Sequence, residues 1–325
     1  MTTAETKDHA LHLATHSGWY RFERRGADWR QVDRALTYWQ MSCIEVAPDD
    51  AKKVYIGTEH SGMFVSNDAG KEWTRANPNV PCLTMSAMLA LPGRLFVGTM
   101  PAALYVTSEN GGWQELKGVR QGAVDGTFPP NPDFAPRTRV LKNEKQPGGR
   151  LYAGIEVGGI LASDDDGQTW NPINEGLTDL DLHQILPSKT KAGLVVAACG
   201  EGVSRSTDRG DHWEKVTPPG SRTYGNALAE DADGNIYLGI TQDRPRTWTR
   251  AGRAKSAIFK LTNGADWQLV TENMSGGVMD VCTAPDGNGV LAATADGEVV
   301  VITPSGETRT IVSGLPCITA MALGE

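Results

Sequence analysis

The chain has 325 residues, enough for two or three separate domains, and its formal net charge of −8 argues against a nucleic-acid surface built on clustered Lys and Arg. No apolar run approaches the length needed to span a bilayer, so no membrane contact is expected. The 37 glycines point to a fold with many turns.

In chain order, residues 1–10 are polar and carry Glu5, Lys7 and Asp8, which predicts a flexible tail and not a secretory signal. A β-rich run, His12-Leu-Ala-Thr15, follows, then a tetrad Gly26-Ala-Asp-Trp29. The next run, Tyr55-Ile-Gly-Thr58, precedes an octad of the form S-x-D-x-G-x-x-W, with Ser66, Asp68, Gly70 and Trp73. Phe96-Val-Gly-Thr99 precedes a partial copy, Ser108 to Trp113. Tyr152-Ala-Gly-Ile155 and Val196-Ala-Ala-Cys199 each precede an intact octad, Ser163-Asp165-Gly167-Trp170 and Ser206-Asp208-Gly210-Trp213. Tyr237-Leu-Gly-Ile240 leads to a second tetrad, Gly264-Ala-Asp-Trp267. Leu291-Ala-Ala-Thr294 is the last of the runs, and an apolar β-type segment, Cys317 to Leu323, ends the chain.

Seven such runs at repeat spacing predict seven radially arranged, four-stranded antiparallel sheets: an all-β, seven-bladed β-propeller spanning residues 11–325. No strand ahead of His12 is available to lie innermost in the first blade. Cys317 to Leu323 can supply it, and that closure removes the open sheet edges. The spacings Trp113 to Trp170 and Trp213 to Trp267 exceed the others, which marks two insertions. One is residues 119–136, Pro-rich, with Phe128, Pro129, Pro130, Pro132 and Phe134; the other is residues 243–254, with Arg244, Arg246, Arg250, Arg253 and Trp248. Propeller connectivity opens both onto one rim, the usual location of function.

The octad has a mechanical reading. Ser and Asp side chains accept bonds from nearby backbone amides, Gly takes a positive-φ position, and Trp packs between sheets. The motif resembles the Asp-box, or BNR, repeat of a β-propeller superfamily, and the resemblance runs over nearly the whole chain. It implies that the boxes join outer strands and are structural. Within that superfamily the chain is most similar to short cytosolic bacterial propellers described as sialidase-like or glycosyl-hydrolase-like, through Leu151 to Ile160 and the strand start Asp181-Leu-His183. True sialidases carry an arginine triad and a Phe/Tyr-Arg-Ile-Pro strand that have no match here. A photosystem-assembly type of propeller would imply a protein scaffold, with the Arg-rich loop 243–254 as its docking patch. The resemblance and an odd number of cysteines, five, without a CxxC (Cys43, Cys82, Cys199, Cys282 and Cys317) lead to a cytoplasmic expectation.

Aligning the innermost strands puts Thr319, Ser42, Ser86, Arg139, His183, Asn226 and Met279 or Asp280 at the channel. The ends of the second strands add His16, Glu59, Met100, Glu156, Gly200 with Glu201, Thr241 and Ala295. Acid, base and cation converging in one concave mouth predict a site for a small polar molecule, carbohydrate-like or carboxylated. Hydrolysis or elimination would use Glu156 or Glu59 as general acid or base, with His183 as proton carrier. Arg139 would clamp a carboxylate or developing oxyanion, with Arg137, Tyr224, Asn226, Trp39 and His60 as further binding groups. A non-catalytic ligand-binding or protein-assembly propeller is the alternative. No phosphate loop is present, so no nucleotide cofactor is expected. A metal held by His60, Glu59 and His183 is a minor alternative, because their ligand spacing is unremarkable, and no metal ligand is assigned.

Overall fold

The computed structural model describes residues 9–76, 83–107, 112–124, 135–145, 148–242, 244–245, 248, 254–262, 266–272 and 274–324. Within them the strands assemble into seven four-stranded sheets, each antiparallel and each one blade of a propeller. The innermost strands are Ile318–Gly324, Met41–Ala47, Met85–Leu91, Arg137–Asn143, Leu182–Pro187, Tyr224–Glu230 and Val278–Thr283. The second strands are Ala10–Thr15, Asp50–Thr58, Arg94–Thr99, Leu151–Glu156, Val195–Cys199, Ile236–Thr241 and Val290–Thr294, and they contain the seven β-rich runs of the sequence.

The first blade is built from both ends of the chain. Ile318–Gly324 runs antiparallel to Ala10–Thr15, pairing Leu11 with Leu323 and Leu13 with Met321. The C-terminal strand therefore closes the ring as the missing inner strand required, and both edges are paired.

Second strands lie between two neighbouring blades, so both faces are covered and the alternation of a half-exposed strand disappears. Val195–Cys199 and Val290–Thr294 are buried at every position. Their glycines admit the next blade. A Cβ on Gly154 would sit 2.2 Å from Leu182 Cδ2, and one on Gly239 would sit 2.5 Å from Val278 Cγ1. The glycine of the Gly-Thr pattern thus serves inter-blade packing rather than a turn.

The three intact octads form the same turn. Ser66 Oγ donates to Asp68 Oδ1 at 2.7 Å and accepts from Gly70 N at 2.7 Å, while Asp68 Oδ1 also accepts from Glu72 N at 3.0 Å. Ser163 and Ser206 repeat the pattern, with Gly167 N and Gly210 N donating at 2.8 and 2.7 Å. Each glycine has positive φ, and so does the residue before it: Ala69, Asp166 and Arg209 lie at φ 63, 64 and 66°. The turn hydrogen bonds hold that left-handed pair in place. Trp73 meets Trp19 of the first blade edge-on at 5.1 Å, and Trp213 is buried with Nε1 donating to Ile173 O at 2.7 Å. Each tryptophan closes the seam toward the preceding blade.

Of the two insertions, the first opens with a helix, Lys117–Val124, before the chain leaves the described residues at 125–134. Phe128, Pro129, Pro130, Pro132 and Phe134 lie outside the described residues, as do Arg246, Arg250 and Arg253 of the second insertion, residues 1–8 of the tail, and Cys82. Cys43, Cys199, Cys282 and Cys317 are free thiols. Among the described residues no helix is long and apolar enough to cross a membrane.

Candidate functional site

Every inner strand carries a register shift near its start against its second strand, and this shift falls on one residue per blade: Thr319, Ser42, Ser86, Arg139, His183, Asn226 and Met279; Met41–Ala47 has a second shift at its far end. A bulge leaves one residue unpaired and re-aims its side chain. All seven line a cavity of about 330 Å³ along the channel. Most then reach sideways to the next blade. Ser42 Oγ donates to Met85 O, and Ser86 Oγ donates to Thr138 O at 2.8 Å. His183 Nδ1 meets Gly225 O at 2.7 Å, and Asn226 Nδ2 donates to Val278 O at 2.9 Å. The bulge residues stitch neighbouring blades through the carbonyl beside the next bulge.

Arg139 breaks this pattern, because its guanidinium turns to a carboxylate. Arg137 Nε donates to Glu156 Oε2 at 2.8 Å, and Arg139 Nε stands 3.5 Å from the same oxygen. Burial alone would raise the Glu156 carboxyl, but Arg139 and Arg137 outweigh it and hold Glu156 below the usual carboxylate range. Burial opposes the charge of Arg137, yet Glu156 lifts its pKa above the usual value. For Arg139, burial and then the adjacent Arg137 win, and its pKa is lowered. Two cations share one anion. The second guanidinium is under-compensated and lines the cavity wall.

These groups line a second cavity, of about 260 Å³, at the channel mouth. Its wall includes Glu59, Arg137, Arg139, Glu156, Tyr224 and Trp248. The Glu59 carboxylate forms no hydrogen bond or ion pair among the described residues. Trp248 comes from the second insertion: it is 3% exposed, meets the Tyr224 ring edge-on at 5.6 Å, and accepts from Gly277 N through its carbonyl. Tyr224 in turn lies against His183, with ring centroids 4.4 Å apart. Burial, then Asp181 and Glu156, push the Tyr224 hydroxyl up, so it stays protonated as a donor.

His183 is buried, and its Nε2 lies 3.4 Å from Asp181 Oδ1 without forming a hydrogen bond. One donor atom each from Glu156, Asp181 and His183 falls within 4.8 Å of the others. This is the one cluster of three His, Cys, Asp or Glu residues among the described residues with metal-ligand spacing.

Of the groups singled out in the sequence, Glu59, Arg137, Arg139, Glu156, Tyr224 and Asn226 share the mouth cavity. His183 borders them from the channel below. Two stand apart: His60 is exposed on the turn after its strand, and Trp39 packs against Phe64 at 5.1 Å in the seam between the first two blades. Sequence reasoning did not assign Asp181 or Trp248 a role. Asp181 precedes His183 by two, the spacing that shares one face of a strand. Trp248 was marked only as an aromatic inside an Arg-rich insertion.

Neither protein-family models nor curated protein sequences match the chain. Solved structures do, at low identity. A protein from Lactobacillus plantarum superposes with a TM-score of 0.69 at 12% identity, covering 98% of this chain and 100% of its own. An ancestral GH74 enzyme matches with a TM-score of 0.63 at 16% identity over 88% of this chain, which spans 38% of that enzyme. YCF48 bound to a D1 peptide matches with a TM-score of 0.59 at 15% identity, over 95% of this chain and 86% of its own. At these identities the likeness establishes the propeller fold. Enzymes and binding proteins both stand among the neighbours.

Proposed function

We propose that this protein is an Asp-box propeller whose channel mouth binds a small polar molecule bearing a carboxylate or a comparable anionic group. The observation that carries the reading is the pairing of two guanidiniums, Arg137 and Arg139, with the single carboxylate of Glu156 on the wall of the mouth cavity. A ligand carboxylate supplies the second anion, and Arg can take it in a forked, two-bond geometry. Tyr224 and Trp248 offer an aromatic wall, whereas the Asn226 amide nitrogen is spent on Val278 O and Met279 O and leaves only its oxygen to a ligand.

Binding is favoured over proton-transfer catalysis because neither proton carrier is available to the mouth. Glu156 is ionised and ion-paired, His183 Nδ1 is spent on Gly225 O, and His183 Nε2 is buried from solvent. Hydrolysis or elimination is the second reading, favoured by Glu59, whose carboxylate is uncommitted in the same cavity.

A thermal-shift and calorimetric panel of uronates, sugars and small carboxylic acids tests both readings. A carboxylate ligand is expected to raise the melting temperature. Arg139→Met should weaken its binding at least about tenfold, in line with loss of a charge-assisted hydrogen bond. Equal affinity for the acid and its amide would overturn the anion reading. Glu59→Gln separates the two readings: unchanged binding with lost turnover identifies an enzyme, and unchanged binding with no turnover in the wild type identifies a receptor.

A further inference from the structure

We infer that Glu156, Asp181 and His183 form a binding site for one divalent transition-metal ion at the junction of the channel and its mouth. The inference is independent of the anionic ligand proposed above, although the two sites share Glu156.

The tautomer of His183 is the starting point. Gly225 O can only accept, so the contact of 2.7 Å makes Nδ1 the protonated nitrogen. In the neutral ring Nε2 then carries a lone pair. That lone pair is buried, has no hydrogen-bond partner, and lies 3.4 Å from Asp181 Oδ1, itself a buried acceptor without a partner. Two acceptors facing each other out of water repel, and an orphaned buried polar atom destabilises the fold. A cation between them removes the conflict. A metal-bound histidine characteristically donates its other N–H to a backbone carbonyl, which fixes the ring, and His183 has that arrangement toward Gly225.

The distances fit an ion. Ligands bonded at about 2.1 Å in a tetrahedral array stand roughly 3.4 Å apart, and the His183–Asp181 separation is 3.4 Å. Glu156 completes the set within 4.8 Å. Its Oε2 holds the guanidiniums, leaving Oε1 as the oxygen without a hydrogen bond. Gly200 makes room for the second ligand, because a Cβ there would lie 2.7 Å from Asp181 Oδ2 and 3.0 Å from Asp179 Oδ2. The surrounding charges are the cations Arg137 and Arg139 and the anions Glu59 and Asp179. One imidazole with two carboxylates suits Zn²⁺, Mn²⁺ or Co²⁺ better than Mg²⁺ or Ca²⁺, which prefer all-oxygen sets. Glu156 belongs to the mouth cavity, so the ion's remaining positions open toward it, as in sites that keep a place for water or ligand.

The test is titration of chelator-stripped full-length protein with CoCl₂, ZnCl₂, MnCl₂ and CaCl₂, each alone, by calorimetry and, for cobalt, by visible absorption. The expected result is one ion per chain, with cobalt d–d bands, and preference for Co²⁺ and Zn²⁺ over Ca²⁺. Asp181→Asn should weaken zinc binding by at least about tenfold while the far-UV spectrum and melting cooperativity are kept. If Asp181→Asn fails to fold, His183→Gln gives the same readout. Absence of saturable binding to the wild type below millimolar metal would overturn the site, and would indicate a proton shared between His183 and Asp181. So would stoichiometric binding that survives in both variants. Neither failure bears on Arg139→Met and carboxylate affinity, so the ligand reading stands or falls separately.

Discussion

The outer turns and the channel mouth are built by opposite rules. At the turns of Ser66, Ser163 and Ser206, the same serine, aspartate, glycine and tryptophan recur, and each polar group has its partner. Asp165, held by Thr169 and Ser163, keeps its carboxyl down at about 2. At the mouth the equivalent positions of successive blades differ: serine, arginine, histidine, asparagine and methionine occupy one bulge position. There two guanidiniums share one carboxylate, and a histidine nitrogen is left facing an acid. Repetition marks what holds the ring together. Departure from repetition marks what the ring presents.

The sharpest way to break the comparison is to remove the element that both regions depend on. Deleting residues 316–325 strips the inner strand from the first blade and exposes the edges of Ala10–Thr15 and of the neighbouring seams. Complete loss of soluble, cooperatively folding protein is expected. A truncated chain with the wild-type melting temperature would show that the ring does not need its C-terminal strand.

The next largest effect belongs to the turns. Trp213→Ala empties a buried aromatic site and removes the bond to Ile173 O, so a loss of about 3–5 kcal/mol in denaturant unfolding is expected. Trp170 is only half-buried and should cost less. Ligand and metal affinity should be unaltered in the folded fraction of either variant, since neither residue reaches the mouth. Equal and small losses at both positions would contradict the seam-closing role.

A third effect separates buried histidines that share chemistry but not purpose. His12 is buried against Trp19 with both ring nitrogens unpartnered, and burial, then Arg21, lower its pKa to about 3. The unfolded chain takes up a proton below about pH 6.5 while the folded chain resists until about pH 3. Stability is therefore full above the unfolded value and falls as pH drops toward the folded one, by about 2 kcal/mol between pH 6.5 and 5. His12→Leu should flatten that slope, with neutral-pH stability kept or raised, because an apolar group of similar size leaves nothing unsatisfied. A slope identical to wild type in urea melts at both pH values would refute the assignment.

The ring and its closure were legible in the sequence because each rests on a period: the octads, the seven β-rich runs, and one missing inner strand. The bulge residues were legible for the same reason, since aligning the strands isolates one position per blade. Contacts across blades left no such trace. That Arg139 turns to Glu156, whereas Ser86 and Asn226 bond the next backbone, depends on side-chain length and on which carbonyl is already taken. His183 was visible as a titratable group, but the carbonyl of Gly225 that fixes its proton belongs to another blade. Trp39 and His60 show the converse: nearness in sequence to a ring residue does not carry a side chain into the mouth.

The smallest expected change in stability is also the most specific. Arg139 carries little packing, and Glu156 keeps Arg137 at 2.8 Å if Arg139 is lost, so Arg139→Met should cost about 1 kcal/mol or less at neutral pH. What remains of that cost is the attraction to ionised Glu156. Glu156 titrates below the usual carboxylate range, so this contribution is present above the ordinary carboxylate value of about 4.3 and disappears as pH falls through the lower folded value. Wild type and Arg139→Met should therefore differ fully above the ordinary carboxylate range and converge in urea melts only as pH falls below it, through the lowered folded value. A serine of the same ring, Ser86→Ala, should show no such convergence, because its bond to Thr138 O involves no titrating group. If the two variants share one pH profile, Arg139 is another stitch between blades, and the distinction between the holding and the presenting parts of the ring fails at the residue that defines it.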